Sequence, residues 1–170
     1  MKAGQIARFG LLTAMALVLG YVENLAPVAP GLPGVKLGLA NTALLFALYL
    51  MGERQAALMM VLKVLLSALL FAGPFALLYS LAGGVLSLVG MVVIKKITGV
   101  SIVGVSVCGA VLHNVGQLAA ACLALGSLAA LSYLPILLLS AIITGMLTGL
   151  VARAVCKAFK SKGLDDTENK

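Results

Sequence analysis

The sequence predicts an all-α membrane protein, a bundle of six transmembrane helices with both termini on the cytoplasmic side. Three observations point there. The chain of 170 residues is 62% hydrophobic and only 10% charged, with a mean hydropathy of +1.17, whereas a soluble domain carries about 25% charged residues. Prolines, glycines and short charged turns divide the apolar sequence into six runs. The basic residues also gather on alternate connections, the asymmetry that orients membrane helices. The natural organisation is one transmembrane domain, residues 1–155, followed by a polar cytoplasmic tail, 156–170.

The first span is Phe9 to Tyr21. Gly10 and Ala14, then Ala16 and Gly20, make two small-xxx-small pairs along it. That spacing serves close packing within the chain or docking of a partner helix. The stretch ENLAPVAPGLPGVK follows, and its three prolines exclude regular helix. The second span runs from Leu37 to Met51 and ends at Gly52-Glu53-Arg54. Both are short for a bilayer that needs about 20 residues. The third span, Ala56 to Ala72, breaks at Gly73-Pro74; the fourth, Phe75 to Ile94, closes on Lys95-Lys96. The fifth covers Ile102 to Leu125 and the sixth Ala129 to Val155, before the polar segment KAFKSKGLDDTENK.

Ten of the twelve lysines and arginines fall on one side of this arrangement, Lys36 alone falls on the other, and Lys63 lies within a span. Such a bias places both termini in the cytoplasm. Topology therefore accounts for the net charge of +7, and no nucleic-acid partner is implied. Cys108, Cys122 and Cys156 lack CxxC spacing and read as small buried hydrophobes. The first apolar run has no convincing cleavage site, so it is expected to be retained.

An ionisable or polar side chain inside a span must find partners, and by default marks a functional site. Lys63 lies nine residues beyond Arg54, about 13 Å along a helix, near the bilayer midplane. It either pairs internally, for instance with Glu23, or waits for an anionic ligand. In GAVLHNVGQ, His113 and Gln117 share a helical face and Asn114 sits beside them. An imidazole and two carboxamides donate and accept hydrogen bonds, which suits a planar heterocycle; an interhelical polar clasp is the alternative. One histidine with no carboxylate nearby in the span leaves too few ligands for a metal. In the outer loop, Pro33 and Gly34 make a tight turn, Gly38 allows close backbone approach, Lys36 is basic against the charge bias, and Asn41 enters the second span. Residues 26 to 41 thus read as a lid over an outward cavity. Phe75 and Tyr79, four residues apart beside Gly83-Gly84, offer a stacking surface for a flat ring.

PGVKLGLAN, LAGGVLSLVGM and GAVLHNVGQ together resemble the Gx transporter family, also labelled heptaprenyl diphosphate synthase component I, over residues 9 to 155. That family is similar to the S components of energy-coupling factor (ECF) vitamin transporters: six helices with a ligand pocket opening outward under the first loop. The resemblance implies this fold, a bacterial cytoplasmic membrane location, and a flavin (riboflavin, FMN or FAD) as transported ligand, since such proteins accompany systems that attach flavin to extracytosolic proteins. It implies ECF-type transmembrane and ATPase subunits as partners, met by Gly10, Ala14, Ala16 and Gly20. The AxxxA form typical of that docking is not matched, because Ala16 pairs with Gly20, which leaves a stand-alone carrier open.

The synthase label meets a chemical obstacle. Diphosphate-bound magnesium needs carboxylates, yet the chain has five acidic residues, no DDxxD motif, and its one aspartate pair in the tail. No enzyme activity and no catalytic cofactor are expected. No Walker A pattern is present either, so ATP-driven transport would need a separate subunit. Two other readings remain: a carrier of another vitamin or isoprenoid-related anion, and a non-transporting subunit of a respiratory or prenyl-synthesis complex.

Overall fold

A computed structural model describes residues 3–25 and 39–161. Among the described residues there are six α-helices: α1 (Ala3–Leu25), α2 (Leu39–Leu50), α3 (Glu53–Ser67), α4 (Gly73–Lys95), α5 (Ile102–Leu125) and α6 (Leu134–Ser161). A five-residue π-helical segment, Ala68–Ala72, joins α3 to α4, and a 3-10 segment, Leu128–Tyr133, leads into α6. There is no strand among the described residues. Within the described residues, five stretches are long and apolar enough to cross a membrane: Ala3–Glu23, Glu53–Phe71, Phe75–Lys95, Ile102–Leu125 and Leu128–Ala158.

The boundaries show what hydropathy misses. α1 begins at Ala3 and ends at Leu25 rather than at Phe9 and Tyr21; AGQIAR and VENL add polar end turns that an apolar run does not mark. α6 continues to Ser161, past the limit of residue 155 set by the polar tail, because the alanine and lysines of this stretch are good helix residues whatever their polarity. Residues 162–170 of the tail, like 26–38 of the lid, lie outside the described residues. The break at Gly73-Pro74 is sharp: Gly73 has φ +77°, a left-handed value that glycine accepts at low cost.

At 12 residues, α2 is about 18 Å long, the exception among the six. It is also the centre of the molecule. It contacts α1, α3, α5 and α6, and Ala43, Ala47 and Leu48 are fully buried. A helix this apolar beyond its first turn is expected in that shielded position. Its last turn contains no basic residue of its own. Lys95, from the end of α4, supplies one: Nζ donates to the Leu48 carbonyl at 2.8 Å and lies 4.7 Å from the centre of the Tyr49 ring. A cation there satisfies a terminal carbonyl and complements the negative end of the helix dipole. Lys95 is thus more than a topological charge. Lys96, by contrast, makes an exposed ion pair with Glu53 at 3.5 Å, which contributes little.

Glycines set how closely α4, α5 and α6 approach. A Cβ on Gly116 of α5 would stand 2.7 Å from the Ala82 carbonyl oxygen of α4, and one on Gly145 of α6 would stand 2.8 Å from Val107 Cα. Beside the α5–α6 contact, the buried Ser106 and Thr148 hydroxyls share a hydrogen bond of 3.1 Å. Short connections and these pairings make α3 to α6 antiparallel neighbours. On the outside, α1 exposes Leu11, Val18 and Leu25.

Gly145→Leu is therefore expected to destabilise the bundle by about 1–3 kcal/mol, seen as a lower Tm in detergent. Gly10→Ala should be neutral or stabilising, since nothing lies within 4 Å of a Cβ there.

Candidate functional site

α5 is anchored at both ends. The Ser101 hydroxyl accepts from the Gly104 N–H at 3.2 Å, and Gly126 closes the helix in the left-handed conformation. Between these caps, the helical repeat puts Ala110, His113, Asn114 and Gln117 on one face. That face borders a cavity of about 450 Å³ between the helices. The cavity sits in the half of the bundle where α1 ends and α2 begins.

Every helix contributes to its wall. α3 supplies Lys63 and Ser67, and the π segment that continues it supplies Phe71. α1 supplies Gly20, Tyr21 and Glu23, the last only 6% exposed. Asn41 enters from the first turn of α2, Ser80 from α4 and Thr144 from α6. Five of the residues expected at a ligand site, His113, Asn114, Gln117, Lys63 and Asn41, are thereby brought together. Lys36, Pro33, Gly34 and Gly38 fall outside the described residues.

The α5 side chains are held as well as aimed. Asn114 Nδ2 donates to the Leu137 carbonyl of α6 at 3.0 Å, so this residue is an interhelical clasp and a lining residue at once. His113 and Gln117 lie against Gly83 of α4: a Cβ there would meet Gln117 Cγ at 2.7 Å and the His113 carbonyl oxygen at 2.8 Å. His113 is engaged in the structure, while its Nδ1 atom is buried with no hydrogen-bond partner among the described residues.

Three expectations need correction. Phe75 is 77% exposed and, with the half-buried Tyr79, does not line the cavity. Their helix turns its Ala76–Ser80 face inward instead, one residue and so about 100° away. The aromatic wall is Tyr21 with Phe71, whose ring centres are 4.7 Å apart at an interplanar angle of 38°. Secondly, Gly83-Gly84 is not a groove for a ring. Gly83 is filled by α5, and a Cβ on Gly84 would stand 2.9 Å from the Met60 sulfur of α3. Thirdly, the small residues of α1 do not form one docking face. Ala16 is fully buried and Gly20 packs on Ala40, while only Gly10 and Ala14 face outward.

Sequence reasoning missed Tyr21, Phe71, Ser67 and Thr144. A signal for two of them existed: Lys63, Ser67 and Phe71 follow each other at four-residue steps, one helical face. Among the described residues, no three His, Cys, Asp or Glu side chains come together as a metal site.

A model of the family described as heptaprenyl diphosphate synthase component I matches residues 12–155 of the chain. Neither curated proteins nor solved structures provide a match.

Loss of the Asn114 clasp is expected to cost about 1 kcal/mol. Asn114→Ala should therefore lower the Tm of the ligand-free protein in detergent, whereas Phe75→Ala should leave it nearly unchanged.

Proposed function

The chain belongs to the heptaprenyl diphosphate synthase component I family, and on that premise we propose that it is a substrate-binding membrane carrier for a flavin. In this reading the bundle is of ECF S-component type, lies in the bacterial cytoplasmic membrane with both termini inside, and opens its cavity outward. One observation carries the proposal: polar side chains from separate helices converge on a cavity of about 450 Å³ inside an otherwise apolar bundle. That volume lies within the range of small-ligand sites, about 300–1,000 Å³.

The division of labour follows from the wall. His113, Asn114 and Gln117 hydrogen-bond the edge of the heterocycle, with Asn41 and Ser80 completing the polar contacts. Tyr21 and Phe71 stack against the ring, taking the role first sought in Phe75 and Tyr79. Lys63 is the cation of the site. Residues 26–41 gate access, with Lys36 on the gate. The carrier performs no chemistry on its ligand; energy comes from coupling subunits or from the ligand gradient, and alternating access exposes the site to both sides in turn.

The family's description favours one rival, a membrane subunit of a prenyl-synthesis complex that binds no flavin. Titration of purified protein with riboflavin, followed by quenching of flavin fluorescence, separates the two. Saturable binding is expected. His113→Ala or Gln117→Ala should weaken it about tenfold, the effect of losing one or two buried hydrogen bonds; Phe71→Ala should weaken it and Phe75→Ala should not. Absence of saturation would favour the rival.

A further inference from the structure

We propose that Glu23 selects against phosphate, so that the cavity takes the uncharged, unphosphorylated form of its ligand in preference to a nucleotide form or a prenyl diphosphate. The inference rests on the flavin reading above and narrows it.

Among the described lining residues, Glu23 carries the only formal negative charge and Lys63 the only positive one. With His113 neutral, the formal charges of the described lining residues sum to zero. Lys63 alone would mark a phosphate site, but here its charge is offset within the same cavity. Glu23 has little access to water, being 6% exposed, so its charge is poorly screened at short range. A phosphate monoester brings about −1.5 to −2 charges. The first turn of α2 reaches the cavity through Ala40 and Asn41, and its dipole supplies only about half a positive charge. No arginine is among the described lining residues, although the guanidinium is the side chain best shaped for bidentate phosphate contacts. A neutral, hydrogen-bonding ligand meets none of these penalties: it uses the carboxamides, hydroxyls and imidazole and brings no charge into the site. Glu23 thus works by rejecting a competitor.

The test compares riboflavin with FMN, which shares its ring and adds a phosphate, on full-length protein in detergent, with farnesyl diphosphate as a competitor. Wild-type protein should bind riboflavin more tightly than FMN by about tenfold or more. Glu23→Gln should shift the FMN-to-riboflavin affinity ratio towards FMN by a similar factor, and Lys63→Met should shift it the other way, so either variant that folds reports the effect. Farnesyl diphosphate should fail to displace riboflavin. Equal or tighter FMN binding by the wild type, or a ratio unmoved in the variants, overturns the role of Glu23 and leaves the flavin reading standing. Displacement by farnesyl diphosphate overturns it too. No saturable binding of either flavin removes the flavin reading, and this inference with it.

Discussion

A polar side chain inside an apolar bundle persists only where something other than hydrocarbon meets it. Here that constraint is satisfied in two ways, and the two divide the molecule. Towards one end, Ser106 and Thr148 satisfy each other between α5 and α6, and Lys95 caps the carbonyl end of α2. Towards the other, Lys63, Ser80, His113 and Gln117 converge on open space. The first set holds helices together; the second lines a chamber, and a chamber lined this way has a chemistry.

The glycine contacts explain how the chamber is kept open. α4 and α5 come close enough at Gly83 and Gly116 for backbone to touch backbone. That closeness seats His113 and Gln117 against Gly83, and from there both residues also border the cavity. Tight packing on one face of α5 and a void along another are two results of the same spacing. α2 works in the same sense: short, central and apolar beyond its first turn, it packs against α1, α3, α5 and α6 and presents Asn41 to the cavity.

How much of this could be read from the residues depends on what periodicity reports. Four polar or small residues at positions 110, 113, 114 and 117 announce a face, and in an apolar helix the face alone locates a site. Phe75 and Tyr79 announce a face just as clearly, but spacing carries no phase, and in lipid an outward aromatic is as comfortable as an inward one. Phe71 was half legible: its four-residue steps from Lys63 and Ser67 announce a face, but the π turn that carries it has no sequence mark. The central place of α2 was hidden as well: the apolar run that makes up most of it reads the same whether lipid or protein surrounds it. Lys95 looked like one more charge at a helix end until its partner, the Leu48 carbonyl, was in place.

The π segment has a consequence for chain length. Each of its turns accommodates more residues than an α-helical turn, so Ala68–Ala72 acts as a built-in insertion between α3 and α4. Deleting a single residue there would restore ordinary winding and swing the ring at position 71 by roughly a quarter-turn around the axis. The connection thus tolerates substitution of its alanines and leucines far better than any change in their number.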